Sequence, residues 1–482
     1  MSRSDWKVDI GLEIHVQLLT ESKIFSGAST KFGAEPNTQA CAVDLGLPGV
    51  LPVVNEAVYE QAVTFGLGIG ADINKRSVFD RKNYFYPDSP KGYQITQLSY
   101  PIVEGGKIEI SLSSGKTKVI NVTRAHLEED AGKSVHDQFH DQSGIDLNRA
   151  GTPLLEIVSE PEMSSSEEAV AYAKYMHQLV TYLKVSDGEM SQGSLRCDAN
   201  VSVRRLDDPE LGIRTETKNL NSFRFLERAI EFEIDRQITV LESGGRVTQE
   251  TRLYDSIKDE TRPMRSKETA TDYRYFPEPD LLPVEIDQAY IDLIQQNMPE
   301  LADQKTQRFV DSYGLSLDDA KSLATSPPLA DYFEKVAELS RDAKLAANWI
   351  RVELMARLKR DSIDLSEVPV PAEETGYLIS CIQDQSISGK IAKTVFDALW
   401  QGEASAKAYI EKNDLLQVSD SSELEPLINT IIANNPKQAE QFRAGKTKLM
   451  GFFVGQVMKE TQGKANPQQV NELLNEKLGS PS

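Results

Sequence analysis

Residues 8–17 read VDIGLEIHVQ, and every second position from Val8 to Val16 is apolar. This period of two is typical of a strand with one buried face and one open face. Glu13 and His15 share the open face. Because strand residues two positions apart are separated by roughly 6.6 Å, both side chains can approach one cation. The alternative is an ordinary solvent-facing strand, and this stretch alone leaves both interpretations open.

The same pattern occurs in a second stretch. Residues 196–204 read RCDANVSVR, in which apolar positions alternate with a polar face that includes Arg196 and Asp198. A third run, residues 213–219 (IRTETKN), places Lys218 on a polar side together with further charged residues. If these strands are neighbours in one sheet, their polar faces surround one pocket.

Two further carboxylates have unusual sequence neighbours. Glu156 lies at the centre of the apolar run LLEIV (154–158), where burial is costly unless the carboxylate is paired or bound to a metal. Glu128 lies in the acidic run HLEED (126–130). That run also fits the first turn of a helix, where acidic side chains are favoured.

Together these positions form an oxygen-rich set with one imidazole: Glu13, His15, Glu128, Glu156 and Asp198. Such a set suits Mg²⁺ or Mn²⁺ better than zinc. Arg149, Arg196 and Lys218 can supply positive charge to phosphate oxygens. The residues therefore predict a metal and phosphate site, with solvated strand faces as the alternative.

Composition narrows the class of protein. The chain has 482 residues, which suggests about three domains, and a formal net charge of −21. A field of that sign repels phosphate, so contact with nucleic acid requires a local basic patch or a partner.

The three cysteines lie far apart, which argues against a disulfide framework or a cysteine zinc site. Without a signal-like N-terminus or a membrane-length apolar run, we expect a soluble, cytoplasmic protein that does not associate with membranes.

The chain changes character along its length. Residues 1–295 show strand-type alternation and turn signals, whereas residues 296–405 and 406–482 show helical periodicity. We predict a catalytic domain and two helical domains with these bounds. Residues 437–482 contain seven Lys and Arg and four Glu, and a helix predicted around apolar Leu449 and Phe453 carries Lys446, Lys448 and Lys459 elsewhere on its cylinder. This basic tail is either a solvated face or a contact for an RNA backbone.

Several nucleotide and hydrolase motifs are missing. Each G-K-[ST] sequence lacks the upstream glycine of a P-loop. The glycine-rich run GLGIGA (66–71) follows a helix-like stretch, so we interpret it as a helix C-terminus. No G-x-S-x-G elbow or Gly-Ser-rich amidase signature occurs. If the protein uses ATP, Mg²⁺ and side chains must hold the nucleotide.

At these same residues the sequence resembles the B-subunit family of the tRNA-dependent amidotransferases. The matching blocks run in order over most of the chain: GLEIHVQLL (11–19), DRKNYFYPDSPKGYQ (80–94), TRAHLEEDAGK (123–133), NRAGTPLLEIVSEP (148–161), GSLRCDANVSVR (193–204), TKNLNSFRF (217–225), DYRYFPEPDLLP (272–283) and GKANP (463–467). The resemblance implies an α+β fold, with a glutamine-synthetase-like cradle domain followed by an α-helical domain and a small helical tail domain.

The resemblance also implies an activity. In that family, Mg²⁺ at the cradle floor supports phosphoryl transfer from ATP to the side-chain carboxylate of misacylated Glu-tRNA(Gln) or Asp-tRNA(Asn), and ammonia then displaces the phosphate. By motif, the metal ligands are drawn from Glu13, His15, Glu128, Glu156 and Asp198. Our candidates for the phosphate and ATP contacts are Arg149, Ser194, Arg196 and Lys218.

The resemblance further implies the partners of a heterotrimer. A separate glutaminase supplies ammonia through a channel, a small third protein wraps the two larger ones together, and the tail domain binds tRNA. Lys82 and Lys91 are our candidates at the channel mouth, although surface lysines are the alternative. The candidate tRNA contacts are Lys446, Lys448, Lys459 and Lys464. The related archaeal E subunit has a large inserted domain, and the short link after Pro283 favours the B-subunit family.

Two other functions fit parts of the sequence. A glutamine-synthetase-like ligase acting on a free small molecule would not need the basic tail. A non-catalytic tRNA scaffold would not need several carboxylates on open strand faces. The sequence leaves open whether Glu-tRNA(Gln), Asp-tRNA(Asn) or both are substrates.

Overall fold

A computed structural model of the chain describes residues 3–135, 142–266, 273–403, 405–416, 421–461 and 464–479. It consists of two compact units, Met1–Leu301 and Ala302–Ser482. Unit 1 is a mixed α+β structure and unit 2 is helical, which confirms the predicted α+β class. The predicted domain boundaries after residues 295 and 405 stay predictions.

The described strands of unit 1 are β1 Trp6–Gln17, β2 Asp72–Ile73, β3 Arg76–Ser77, β4 Asp80–Asn83, β5 Tyr93–Thr96, β6 Val103–Glu104, β7 Lys107–Ser111, β8 Thr117–Glu129, β9 Lys133–Val135, β10 Gly144–Asp146, β11 Pro153–Ser159, β12 Leu195–Arg205, β13 Thr215–Leu220, β14 Glu250–Asp255, β15 Glu260–Ser266, β16 Phe276–Pro277 and β17 Val284–Glu285. Ten of them form one sheet with the order β15-β14-β13-β12-β1-β11-β8-β6-β2, in which β7 also pairs with β8. The others form two pairs, β9–β10 and β3–β17, and a three-stranded sheet, β16-β4-β5.

The central strands confirm the alternation found in the sequence. Strand β1 lies between β11 and β12 and pairs antiparallel with both. Its apolar positions, such as Ile14 and Val16, are fully buried, whereas Glu13 and His15 on the other face are partly open. Glu128 lies in β8, so the alternative interpretation of its acidic run as a helical turn is wrong. Pairing of residues 126–129 with β11 makes that run part of the strand.

Three helices, α1 Ala57–Gly68, α2 Ser166–Tyr182 and α3 Phe223–Glu242, share one hydrophobic core with the sheet. The hydroxyls of Ser165 and Ser222 accept hydrogen bonds from backbone N–H groups and so cap α2 and α3. Helix α1 ends at Gly68, which confirms that the glycine-rich run marks a helix C-terminus. Because the helices cover the apolar face of the sheet, its central polar face remains available for a site.

Further α-helices of the two units are Gln288–Gln296, Ala302–Tyr313, Leu317–Leu323, Pro327–Ser340, Ala343–Trp349, Met355–Asp361, Ala372–Gln383, Gly389–Trp400, Ala406–Lys412, Ser421–Asn434, Pro436–Arg443, Met450–Glu460 and Pro467–Leu478, with a π-helical turn at Ile350–Leu354. Unit 2 contains two hydrophobic clusters, one between Phe309 and Ile410 and one between Leu424 and Leu478. Among the described residues, no helix is both long and apolar enough to cross a membrane.

Candidate metal and phosphate site

Four neighbouring strands bring charged side chains into one row. The directly paired residues are, in strand order β8, β11, β1 and β12, His126, Glu156, His15 and Arg196. Directly opposed residues of antiparallel strands project from the same face of the sheet. In the row on one side of it Glu13 is paired with Asp198, and in the row on the other side Glu128 of β8 is paired with Leu154. The register therefore places all five predicted metal ligands on one face.

His15 lies at the centre of this cluster. Its Nε2 atom is 3.4 Å from Glu156 Oε2, 3.7 Å from Glu128 Oε1 and 3.7 Å from Glu13 Oε1. A second imidazole, His126 Nε2, lies 3.4 Å from the same oxygen of Glu156. The carboxylate that the sequence placed in an apolar run is therefore compensated by two imidazoles.

The cluster continues onto β13 through Asp198. Lys218 Nζ lies 2.5 Å from Asp198 Oδ2 and 3.4 Å from Glu216 Oε1. Thr251 of β14 donates a 2.8 Å hydrogen bond to the other oxygen of Glu216. These contacts hold the Lys218 ammonium beside the predicted metal ligands.

Mutual proximity changes the pKa values of the cluster. Burial and the negative charge of Glu156 raise the pKa of Glu13 to about 7. Burial lowers the pKa of His15, but the hydrogen bond and charge of Glu156 outweigh it and raise that pKa to about 9. Burial raises the pKa of Glu156, but His126 and His15 bring it well below its ordinary range. Carboxylates so crowded that one of them resists ionisation form a favourable site for a cation.

The donor set fits a hard divalent cation. Two groups of ligand atoms, Glu13–His15–Asp198 and His15–Glu128–Glu156, each lie within 4.8 Å of one another. Both groups share His15 and otherwise offer only carboxylate oxygens, which are the ligands that Mg²⁺ and Mn²⁺ prefer. The structure thus brings together all five residues predicted as metal ligands, and their role in binding the metal stays a prediction.

Asp130 lies between two of the predicted phosphate contacts, Arg149 and Arg196, and contacts both. Its Oδ2 atom lies 3.0 Å from Arg196 Nη2 and 3.6 Å from Arg149 Nε, and it accepts a 3.2 Å hydrogen bond from Gln17. Burial raises the pKa of Asp130, but the two guanidinium groups lower it overall. Arg196 Nε is buried without a hydrogen-bond partner in the described part of the chain. Its N–H donor is therefore unused in the described structure.

The other predicted phosphate contacts differ in availability. Arg149 donates hydrogen bonds from Nε and Nη2 to the backbone carbonyls of Ala131 and Gly132, at 3.0 and 2.7 Å. Much of its guanidinium group is therefore already bonded within the protein. Ser194 immediately precedes β12, and its buried backbone carbonyl accepts a hydrogen bond from the N–H of Gln17. Arg196 and Lys218 are therefore the cations best placed for a phosphate.

The two predicted channel lysines lie in different surroundings. Burial lowers the pKa of Lys82, but the nearby charges of Glu128 and Glu156 raise it overall, which places this lysine at the cluster. Lys91 instead forms an ion pair with Glu129, and its Nζ lies 5.3 Å from the centre of the Tyr93 ring. The channel itself stays a prediction.

Sequence reasoning missed His126, Asp130 and Glu216 as members of the site. His126 and Asp130 stand in the same run as Glu128, and Glu216 precedes Lys218 by two positions. The signal available in the sequence was their spacing, because each lies two positions from a predicted site residue and so shares its strand face. Their roles depend on partners from distant strands, which the sequence did not identify.

The predicted tRNA contacts lie in unit 2. Lys446, Lys448 and Lys459 are exposed, whereas Lys464 forms a 2.8 Å ion pair with Asp414. The helix begins at Met450, so Lys446 and Lys448 precede it and do not lie on its cylinder as predicted. Their contact with RNA stays a prediction.

The fold and site define a class of α+β enzyme in which a carboxylate–imidazole cluster, flanked by cations, occupies the open face of a large sheet. Residues 8–292 match the family described as the GatB/GatE catalytic domain, and residues 331–478 match the GatB domain family. The chain belongs to the family of aspartyl/glutamyl-tRNA(Asn/Gln) amidotransferase B subunits, and it is therefore part of a ligase-type amidotransferase.

Relatives match almost the whole chain. The amidotransferase B subunit of Hahella chejuensis is 61% identical over 478 residues, which cover 98% of this chain and 100% of the relative. The protein of the same name from Thioalkalivibrio sulfidiphilus is 61% identical over 475 residues, with 98% and 100% covered. That of Alkalilimnicola ehrlichii is 58% identical over 477 residues, with 99% and 100% covered.

Proposed function

We propose that this protein uses Mg-ATP to activate the side-chain carboxylate of Glu-tRNA(Gln) or Asp-tRNA(Asn), and that ammonia from a glutaminase partner then converts it into an amide. The observation that carries the proposal is the single sheet face on which Glu13, His15, Glu128, Glu156 and Asp198 converge beside Arg196 and Lys218. The names of the relatives supply the tRNA substrates.

The chemistry requires activation because a carboxylate resists attack by ammonia. The γ-phosphoryl group of ATP passes to a carboxylate oxygen, which gives an acyl phosphate and ADP. Ammonia attacks the carbonyl carbon, the C–O bond to phosphate breaks, and the nitrogen loses a proton. A bound Mg²⁺ would neutralise phosphate charge during the transfer.

The chain's own cations have distinct parts in this proposal. Lys218, positioned by Asp198 and Glu216, compensates charge on the phosphates. Arg196 offers its unsatisfied Nε while Asp130 orients the rest of the guanidinium. Lys82 offsets the negative charge of Glu128 and Glu156 at the other end of the cluster. Because all three are partly or largely buried, their charges act in surroundings that weaken them less than water does.

The same proposal includes the partners and the fold relationship. A glutaminase and a small third protein complete a heterotrimer with this chain, and unit 1 is a cradle similar to glutamine synthetase. Unit 2 binds the tRNA through its exposed lysines. An enzyme acting on aminoacyl-tRNA would work in the cytoplasm, where translation takes place.

The test is ATP hydrolysis by the heterotrimer of this chain with its two partners, over a range of Mg²⁺ concentrations. The reaction is run with misacylated Glu-tRNA(Gln), with the same tRNA uncharged, and without tRNA. Hydrolysis that requires both charged tRNA and Mg²⁺ supports the proposal. Hydrolysis indifferent to tRNA would indicate a small-molecule ligase, and tRNA binding without hydrolysis would indicate a scaffold.

A further inference from the structure

Exposed aromatic rings occur on the three-stranded sheet beside the site. After β4 the chain forms a hairpin, residues 84–92, in which Phe85 is 70% exposed and Tyr86 is 41% exposed. Phe276 of β16, on the neighbouring strand, is 43% exposed. We call β4, β5, β16, this hairpin and residues 273–275 the aromatic ribbon. Exposed apolar side chains that lie together, as distinct from single ones, commonly mark a binding surface.

Cations lie against the rings of the aromatic ribbon. The guanidinium carbon of Arg274 is 5.6 Å from the centre of the Phe85 ring, and Lys82 Nζ is 5.2 Å from the centre of the Tyr273 ring. The chain as a whole carries a net charge of −21. The aromatic ribbon therefore combines exposed rings with cations that lie against them.

Hydrogen bonds from a side chain to the backbone hold the aromatic ribbon in shape. The Asn83 side-chain amide donates to the carbonyls of Tyr273 and Arg274, at 2.7 and 2.9 Å. Arg274 adopts a φ of 47°, a left-handed conformation that these hydrogen bonds help to fix. Phe85 rests against Gly92, where an added Cβ would lie 3.6 Å from the ring. The exposed ring thus has a defined position.

One end of the aromatic ribbon reaches the carboxylate cluster. Thr96 of β5 donates a 3.4 Å hydrogen bond to Glu128. Burial and the charges of Glu128 and Glu156 raise the pKa of the Tyr275 phenol to about 12, against the opposing effect of Lys82. The aromatic ribbon therefore runs from the predicted metal ligands to rings in open solvent.

We propose that the aromatic ribbon binds the unpaired 3′ end of the tRNA by stacking its nucleobases on exposed rings, chiefly Phe85 and Phe276, and so leads the attached amino acid to the carboxylate cluster. This inference rests on the proposed function and deepens it. Aromatic rings flanked by cations are the usual platform for unpaired nucleobases. Several rings on separate strands offer room for successive bases, more than the single adenine of ATP requires.

The experiment measures binding of uncharged tRNA to the complete heterotrimer in the absence of ATP. Phe85→Ala is compared with Phe85→Trp, which keeps a ring, and with Phe32→Ala as a matched control, because Phe32 is 68% exposed outside the aromatic ribbon. Each protein is titrated with intact tRNA and with tRNA trimmed of its unpaired 3′ nucleotides. Assembly of the heterotrimer and the KM for ATP are measured in parallel.

The Phe85→Ala protein should bind intact tRNA about fivefold to a hundredfold more weakly, because one stacked base is lost. Binding of trimmed tRNA should be unchanged, and Phe85→Trp and Phe32→Ala should bind as the unaltered protein does. Equal weakening with intact and trimmed tRNA would overturn the inference, as would a change confined to the KM for ATP. Failure of the Phe85→Ala chain to assemble would also overturn it, because the aromatic ribbon would then be a contact with a partner protein. Because binding is read without turnover, these outcomes are independent of whether the proposed reaction occurs.

Discussion

His15 Nε2 lies 3.4 Å from Glu156 Oε2, and the two residues are directly opposed on the adjacent strands β1 and β11. His126 approaches the same oxygen from β8 at 3.4 Å. A buried carboxylate is costly unless its charge is compensated. This pairing explains how Glu156 is tolerated in the middle of an apolar run, and it fixes an imidazole at the centre of the predicted metal site.

Replacing Asp198 tests the metal assignment. Asp198→Asn removes a candidate ligand charge and one of the two carboxylates that hold Lys218. We expect the Mg²⁺ concentration for half-maximal amidation to rise by about tenfold to a hundredfold, while tRNA binding is retained. The measurement is amidation of Glu-tRNA(Gln) by the heterotrimer over a Mg²⁺ titration. A normal amidation rate at low Mg²⁺ would remove Asp198 from the site.

Asp9 on the same strand pair provides the control for that variant. Asp9 forms a 2.7 Å ion pair with Arg204 and lies outside the carboxylate cluster. Asp9→Asn should destabilise unit 1 but leave the Mg²⁺ dependence of amidation unchanged. If both variants shift the Mg²⁺ dependence equally, the Asp198 effect is a general loss of sheet stability.

Arg196 is expected to bind phosphate through its planar fork. Arg196→Lys keeps the positive charge near Asp130 but removes the Nε donor that lacks a partner in the described structure. We expect the KM for ATP to rise roughly tenfold to a hundredfold, the range for losing a hydrogen bond to a charged group. Steady-state kinetics at saturating tRNA and Mg²⁺ measure it. An unchanged KM for ATP would show that this guanidinium is structural.

The two lysines predicted at the channel should behave differently. Lys82→Gln removes a cation near Glu128 and Glu156, so amidation should fall with either glutamine or free ammonium as the nitrogen source. Lys91→Gln breaks the ion pair with Glu129 and should reduce glutamine-dependent amidation more than ammonium-dependent amidation. Both rates are measured in the complete heterotrimer. Equal losses for the Lys91 variant with both sources would argue against a channel at this position.

A buried carboxylate outside the site should control acid stability. Glu233 of α3 is fully buried and contacts Arg236, Arg252 and Thr215. Burial raises its pKa, but its hydrogen-bonding partners, Arg236 first among them, lower it overall from the ordinary 4.5. A lowered pKa means that the stabilisation is present above about pH 4.5 and is lost as the pH falls through the lower, folded-state value.

Glu233→Gln should therefore reduce the free energy of unfolding at neutral pH by roughly 1–3 kcal/mol, since it removes a buried charged hydrogen-bond acceptor while Arg252 keeps its ion pair with Glu250. The loss should shrink in acid, where the unaltered protein also loses this contribution. Urea unfolding at neutral and acid pH measures both effects. Glu231→Gln on the same helix is the matched control, because the Glu231–Arg3 pair is exposed and should contribute less than about 1 kcal/mol. A constant difference across pH would contradict the assignment.

The sequence by itself determined the strands and the chemistry of their faces. Strict alternation in β1 and β12 was sufficient because burying Ile14, Val16, Ala199 and Val201 on one side forces the intervening polar residues to the other side. The apolar run around Glu156 indicated a compensated carboxylate for the same reason. The matching blocks identified the family before any contact was known.

Only the tertiary structure decided which strands are neighbours. The placement of β1 between β11 and β12 joins residues far apart in the chain, and local periodicity carries no information about such pairing. The acidic run at Glu128 was compatible with a helical turn until its pairing with β11 made it a strand. Long-range contacts also placed Lys82 near Glu128 and Glu156 but Lys91 beside Glu129, and they paired Asp130 with Arg196. The sequence determines which groups each strand face carries, and hydrogen-bonded register between distant strands decides which of those groups meet.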